Sequence, residues 1–264
     1  MLAIIRGAGD IASAIALRLH KCGVTVIMTE VEHPLTVRRT VAFSEAIHSG
    51  KTQVEGVVGV RAESVDDALR RALEGVVPVL VDPKCSCIWL EPDVLVDAIL
   101  AKRNMGTTIG MAPIVIGIGP GFTAGDDCHA VIETMRGHTL GRVYYEGSAL
   151  PNTAVPGLVG GFAGERVLRA PSDGTFREVA SIRDHVEAGQ AVAYVDDAPV
   201  IATLTGTLRG LLAGGTHVTK GLKCGDIDPR DEASHCETVS DKGLAVAGGV
   251  LEAILHLSDT LTKA

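Results

Sequence analysis

The chain has 264 residues, of which 46% are hydrophobic and 21% charged, and its formal net charge is -8 at pH 7. That length allows one large domain or two ordinary ones, and the acidic balance argues against a general nucleic-acid or acidic-membrane binder. No apolar run reaches the roughly 18 residues needed to cross a bilayer. No signal-peptide pattern precedes the first glycine turn, and six cysteines in a chain this long do not make a disulfide framework. A cytoplasmic location with free thiols is therefore expected.

Residues 2–5, Leu-Ala-Ile-Ile, read as a short strand buried on both faces. Gly7-Ala8-Gly9-Asp10-Ile11-Ala12 follows, a G-x-G-x-x-A pattern. Ile11, Ala14, Ile15, Arg18 and Leu19 then recur at helical spacing, and Gly23 closes the helix. "VTVIMTE" is a second strand ending in Glu30. Strand, glycine turn, helix and a strand with a terminal acid form the dinucleotide-binding arrangement. Gly7 permits the tight turn, Gly9 lets a pyrophosphate approach the backbone, and Ala12 allows close helix packing. Amides at the helix start, from Asp10 onward, face the phosphates along a favourable dipole. Glu30 could accept from both ribose hydroxyls and would repel a 2′-phosphate. The same small residues would also serve simple helix–sheet packing.

The alternation continues with a helix-like "LTVRRTVAFSEAIHSG", the strand "GVVGVRA", the helix "SVDDALRRALEG" and the strand "VVPVLVD". "PDVLVDAILA" and "APIVIGIG" are two further strand candidates. About six strands with intervening helices predict an α/β, Rossmann-like doubly wound sheet whose ligand crevice lies at the strand carboxyl ends. Asp82, Asp97, Lys102 and Asn104 follow those ends, as does the loop "GPGFTAGDD". Gly119, Gly121 and Gly125, with Thr123 as a hydroxyl donor, make that loop either a second anion cradle or an ordinary turn. Arg38 and Arg39 could reach phosphates, or lie on the surface as solvated charges.

"HAVIET" and "RVYYEG" read as two strands around a glycine-containing turn, a hairpin near 128–147. His129, Glu133 and His138 lack a metal-site spacing, and Cys85-Ser86-Cys87 is only a C-x-C, so no metal site is predicted.

Residues 1–165 are read as this cofactor-binding domain, and 166–230 change character. "APSDGTFREVASIRDHVEAGQAVAYV" aligns with "ATLTGTLRGLLAGGTHVTKGLKCGDI", each with a G-T start, a V-x-x-G turn and a closing strand. Such a repeat predicts a pseudo-symmetric all-β module, and over about residues 168–228 it resembles the biotinyl/lipoyl barrel-sandwich family. The join, "VDDAPVIATLTG", carries no attachment lysine, so no covalent biotin or lipoate is expected, and a docking surface is the expected role. Residues 231–264 are a polar linker and one helix capped by Ser240, with Gly248 and Gly249 in its middle marking a bend or a close contact. Two thiols stand beside histidines, Cys128 with His129 and Cys236 with His235. Arg230 or Lys242 could lower the pKa of Cys236.

The strings "RGAGDIA", "MTEVEHPLTVRRTVAFSEAI", "MAPIVIGIGPGFTAGDDCHAVIETMRGHTLGRV", "EGSALPNT", "LRAPSDG" and "GDIDPR" together resemble one family, the accessory proteins of the selenium-dependent molybdenum hydroxylase system (the YqeB type). The resemblance covers essentially the whole chain. It implies a maturation role: handling or delivering the molybdenum cofactor, with a molybdenum hydroxylase or other maturation proteins as partners. The dinucleotide form of molybdopterin contains a pyrophosphate, so the glycine turn could hold it in place of NAD. On that reading Cys236 first, and Cys128 second, are candidates to carry sulfur or selenium. A NAD-dependent oxidoreductase and a non-catalytic docking scaffold are the alternatives, and self-association into a homo-oligomer stays open.

Overall fold

The computed structural model describes residues 1–153 and 157–258. The chain divides into two units that interleave in sequence: the first is Met1–Pro34, Ala42–Thr153 and Val239–Ala264, the second Leu35–Val41 and Ala154–Thr238.

Short apolar runs of β-branched residues build the sheet of the first unit. Its strands are β1 (Leu2–Arg6), β2 (Thr25–Glu30), β3 (Lys51–Val54), β4 (Val57–Ala62), β5 (Val77–Val81), β6 (Val94–Asp97), β7 (Ile114–Ile118), β8 (Ala130–Ile132) and β9 (Val143–Tyr144). They lie in the order β3-β4-β5-β2-β1-β6-β7-β8-β9. Pairs from β4 to β8 are parallel, whereas β3–β4 and β8–β9 are antiparallel hairpins. Every residue of β6, β7 and β8 is buried, as continuous apolar runs covered on both faces require.

The sheet corrects the expected Rossmann-like doubly wound fold. It is mixed, with an antiparallel hairpin at each edge, and few of its crossovers are helical. Helix α1 (Asp10–Lys21) links β1 to β2, and α3 (Val65–Leu73) links β4 to β5. Between β5 and β6 the chain makes only a 3-10 turn at Ser86–Leu90, and between β6 and β7 another at Ile109–Met111. The reason is in the residues: "PKCSCIWLEP" and "AKRNMGTTIGMA" lack an apolar spacing of 3.6 and contain the proline or glycines that interrupt one. The helix-like stretch near 35–50 likewise shortens to a 3-10 turn at Arg39–Val41 and α2 (Glu45–Ser49). Strand β3 was not foreseen; it pairs with β4 around Glu55 and Gly56, both at positive φ, as a two-residue hairpin turn demands.

Helix α4 (Asp241–Leu257) completes the first unit, with the Ser240 side chain accepting the Gly243 amide as its cap. Two of its glycines, Gly243 and Gly249, mark close contact, whereas a Cβ on Gly248 would meet nothing within 4 Å. A Cβ on Gly249 would fall 2.4 Å from Gly141 O, and one on Gly243 would fall 2.8 Å from Ala14 Cβ on α1.

The second unit holds β10 (Val167–Arg169), β11 (Gly174–Glu178), β12 (His185–Val186), β13 (Ala191–Val195), β14 (Ala198–Ile201), β15 (Gly206–Leu211), β16 (His217–Val218) and β17 (Lys223–Asp228). The sequence repeat matches β11–β12–β13 to β15–β16–β17, and each repeat lends its short middle strand to the other: β12 pairs with β15, and β16 with β11. The barrel-sandwich expectation is corrected as well, because the strands form two separate four-stranded antiparallel sheets, β10-β17-β15-β12 and β14-β13-β11-β16. Phe176, Val186, Leu208, Val218 and Ile227 belong to the core of this unit.

Candidate functional site

Because β1, β2, β5, β6 and β7 run parallel, their carboxyl ends gather on one side of the first unit, where open parallel sheets bind ligands. The polar residues at those ends are Arg6, Glu30, Asp82 and Asp97. The β1–α1 turn starts there. Gly7 has φ +93°, and a Cβ on it would sit 2.9 Å from Ala98 O, so backbone crowding from the end of β6 requires glycine at that position. Its amide donates to Thr29 O at 2.8 Å. Ala8 is braced from three sides: its amide donates to Glu30 Oε2 (2.9 Å), and its carbonyl accepts from the Ser13 hydroxyl (3.0 Å) and the Ser44 amide (2.9 Å).

Beyond Ala8 the turn opens. Gly9 is the N-cap of α1 in an extended conformation, and no side chain caps the helix. The first intrahelical bond runs from the Ser13 amide to Gly9 O at 2.8 Å, so the amides of Ile11 and Ala12 precede it. In contrast, α3 and α4 are capped by Ser64 and Ser240. Ala12 is buried, as its predicted role in close packing requires. Glu30 sits at the turn, but both carboxylate oxygens face the protein's own amides, Ala8 at 2.9 Å and Val31 at 2.8 Å.

Arg6 at the end of β1 is 3% exposed and was not singled out by sequence. Its guanidinium pairs with buried Asp97 at 3.1 Å and donates to the Thr107 hydroxyl, which donates in turn to Asp97 at 2.6 Å. Asn104 holds the neighbouring loop: its side-chain nitrogen donates to Thr107 O (2.7 Å) and Asp127 (3.0 Å), and its side-chain oxygen accepts the Gly106 and Thr107 amides. Lys242, expected as a charge beside Cys236, instead feels the charges of Asp10 and Glu133. It sits in the first turn of α4, where burial lowers its pKa and the charges of Asp10 and Glu133 oppose that shift. Two elements far apart in sequence bring it to Asp10, so nothing local announced it.

The loop Gly119–Asp127 is built differently. Gly119, Gly121 and Gly125 all have positive φ, as a tight loop demands. Its amides are occupied, however: those of Gly119, Thr123, Ala124, Gly125, Asp126 and Asp127 each find an acceptor within the chain. The Thr123 hydroxyl shares a hydrogen bond with Ser148 at 3.0 Å. Six of the loop's amides are thus braced within the chain. Arg38 and Arg39 fall in the second unit. Arg38 is buried and donates to the carbonyls of His235 and Thr238, while Arg39 binds Leu211 O and Glu178.

Neither proposed carrier thiol is set up as a nucleophile. Burial pushes Cys128 up to about 11, and burial also raises Cys236, whose Sγ faces Leu208 O at 3.9 Å. A nucleophilic cysteine needs the opposite shift. His129 is structural, its Nδ1 accepting the Val115 amide at 3.0 Å. Among the described residues no group of three or more His, Cys, Asp or Glu is placed to hold a metal ion, and no helix is long and apolar enough to cross a membrane.

No family model matches the chain. Over all 264 residues it is 51% identical to the uncharacterized protein YqeB of Escherichia coli strain K12. The likeness runs the whole length of this chain, which spans 49% of that relative's length. Among solved structures it is similar to an aspartoacylase family protein from Mesorhizobium loti, at 13% identity and a TM-score of 0.29, covering 86% of this chain and 84% of that one. It is also similar to a succinylglutamate desuccinylase/aspartoacylase from Rhodobacter sphaeroides, at 16% identity and a TM-score of 0.25, covering 85% of this chain and 86% of that one. Scores this low carry no argument about fold or function.

Proposed function

We propose that the first unit binds a diphosphate-bearing cofactor at the start of α1, and that the chain serves the maturation of selenium-dependent molybdenum hydroxylases by holding or delivering the molybdenum cofactor or its dinucleotide form. The observation that carries the binding half is the uncapped N-terminus of α1, led by Gly9 at the carboxyl ends of parallel strands, in a unit whose other long helices are capped by serine. The maturation half rests on the sequence resemblance.

The residues fit such a group. The amides of Ile11 and Ala12 would donate to a phosphate, since amides ahead of the first intrahelical bond and the helix dipole both favour negative charge there. Lys242, near Asp10, would supply a compensating positive charge. Ala8 is committed to Glu30, so the cradle begins at Gly9 rather than Gly7. When bound, the molybdenum cofactor would supply the metal centre for a target hydroxylase; this chain's part is to bind and orient the diphosphate.

Mass spectrometry of the small molecule released on denaturing the purified chain tests the proposal, together with calorimetric titration using inorganic pyrophosphate, NAD and molybdopterin cytosine dinucleotide. Binding of a pyrophosphate-bearing probe, strongest for the molybdopterin form, is the expected result. Absence of heat with all three and no released ligand would overturn it.

A further inference from the structure

Acids stand at the carboxyl ends of three parallel strands: Glu30 ends β2, Asp82 follows β5 and Asp97 ends β6. In a dinucleotide site one such carboxylate accepts the hydroxyls of a ribose. Here each is turned onto the chain's own donors. Glu30 spans two of them, Oε2 accepting the Ala8 amide at 2.9 Å and Oε1 the Val31 amide at 2.8 Å. Val31 is the next residue in sequence, so the Glu30 side chain folds back over its own backbone instead of reaching beyond the strand end. Asp82 is buried and accepts the Cys87 amide at 2.8 Å, closing the turn after β5. Asp97 is buried as well. Its Oδ2 accepts from Arg6 at 3.1 Å and from the Thr107 hydroxyl at 2.6 Å, and its Oδ1 from the Ile99 amide at 3.2 Å.

We infer that the ligand of the first unit is a diphosphate ester held through its phosphates, that none of these acids reads a ribose diol, and that Glu30 serves instead as the brace of the β1–α1 turn. The inference rests on the diphosphate reading of the start of α1 and narrows it to a ligand class. A ribose would present two hydroxyl donors to the two oxygens of one carboxylate. At Glu30 each oxygen already accepts an amide, and the two amides fix which way the carboxylate faces. Turning it outward would strand the amide of Ala8, a residue fully buried away from water. A buried donor without a partner costs about as much as the sugar's hydrogen bonds would return. Turning Asp97 outward would take the ion pair from Arg6, itself buried, and an unpaired buried charge costs more still. NAD and ADP therefore gain nothing at this site from the ribose of their adenosine.

Calorimetric titration of the whole chain with ADP and with 2′,3′-dideoxy-ADP tests this, because the two share a diphosphate and differ only in the ribose hydroxyls. ADP should bind no more than about threefold tighter, whereas hydroxyls bonded to a carboxylate would make it tighter by about tenfold or more. Glu30→Ala should change both affinities by one common factor and leave their ratio as it was. Amide exchange followed by nuclear magnetic resonance reads the brace: Ala8 should exchange at least about tenfold faster in Glu30→Ala, while Ile4 and Leu95 in the buried strands keep their rates. Unchanged protection of Ala8 would overturn the brace. A larger preference for ADP would overturn the inference and leave the diphosphate reading intact, and its loss in Glu30→Ala would name Glu30 as the sugar's partner. Failure of ADP, its dideoxy form and inorganic pyrophosphate alike to bind would instead overturn the diphosphate reading, and this narrowing with it. The wild-type titrations decide the ribose question even where the variant does not fold.

Discussion

Two glycine-rich turns leave the carboxyl ends of parallel strands in the first unit, and they differ in where their amides go. The turn after β1 spends the amides of Gly7 and Ala8 on Thr29 and Glu30, and then runs into a helix that no side chain caps. The loop after β7 has six amides accepted within the chain. Glycine content alone would make both anion cradles. Because nearly every buried backbone donor must find a partner, the amide partners, and not the glycines, separate an open turn from a braced one.

The comparison breaks first on stability. Gly121 has φ +109°, and a Cβ there would lie 2.6 Å from Arg103 Cα and 2.7 Å from its nitrogen. Gly121→Ala should therefore destabilise the chain by about 2–5 kcal/mol, combining left-handed strain with overpacking against rigid backbone. Denaturant melting checks this. An unchanged melt would mean that the loop is looser than its hydrogen bonds imply and would revive it as a cradle.

Gly9→Asp sharpens the contrast in the other direction. Aspartate is a favoured N-cap, so the variant should melt as the wild type does or gain up to about 1 kcal/mol. Its carboxylate would also occupy the amides that a phosphate needs and repel the ligand, so affinity for a pyrophosphate-bearing probe should fall about tenfold or more, equivalent to about 1.4 kcal/mol. A more stable protein with undiminished calorimetric binding would show that the anion sits elsewhere.

Much of this was legible in the sequence, where the signal was local. Strands β1, β2, β5, β6 and β7 were visible as apolar runs, Ser240 as a cap, and the repeat in the second unit as matching G-T and V-x-x-G turns. The swap of β12 and β16 between repeats was hidden, because two-residue strands carry no periodicity. Helical crossovers were over-read after β5 and β6, since a doubly wound template was extended over segments that lack helical spacing. Arg38 and Arg39 were misjudged because "RR" between polar residues looks solvated, whereas their partners lie between 139 and 200 residues away. Arg6 was missed, and Lys242 was assigned to Cys236 instead of Asp10, for the same reason: a buried ion pair and a lysine at a distant helix start depend on tertiary contacts.

A smaller effect separates glycines within the loop itself. Gly125 has φ +95°, but a Cβ on it would meet nothing within 4 Å. Gly125→Ala should cost only the left-handed strain, about 1 kcal/mol, and leave probe binding unchanged. Melting and titration on the same sample distinguish this from the larger loss at Gly121. Equal losses at the two positions would mean that backbone strain, not crowding by Arg103, governs the loop.

The smallest expected effect concerns Lys242. Burial lowers its pKa from the usual 10.5, with Asp10 and Glu133 opposing and Arg136 assisting. Folded Lys242 therefore holds its proton less tightly than unfolded Lys242, and between the two pKa values the unfolded chain binds more protons. Stability should accordingly rise with pH across that alkaline window, and Lys242→Met should abolish the rise. Binding should follow the opposite sign: a bound diphosphate favours the ammonium form, so wild-type affinity should fall as pH climbs through the folded pKa. Lys242→Met should weaken pyrophosphate binding about two- to fivefold, the size of a partly exposed charge near a helix start, and flatten that pH profile. If the variant weakened binding but kept the wild-type pH profile, Lys242 would be supporting the start of α4 rather than sensing the anion, and the positive charge facing α1 would have to come from elsewhere in the first unit.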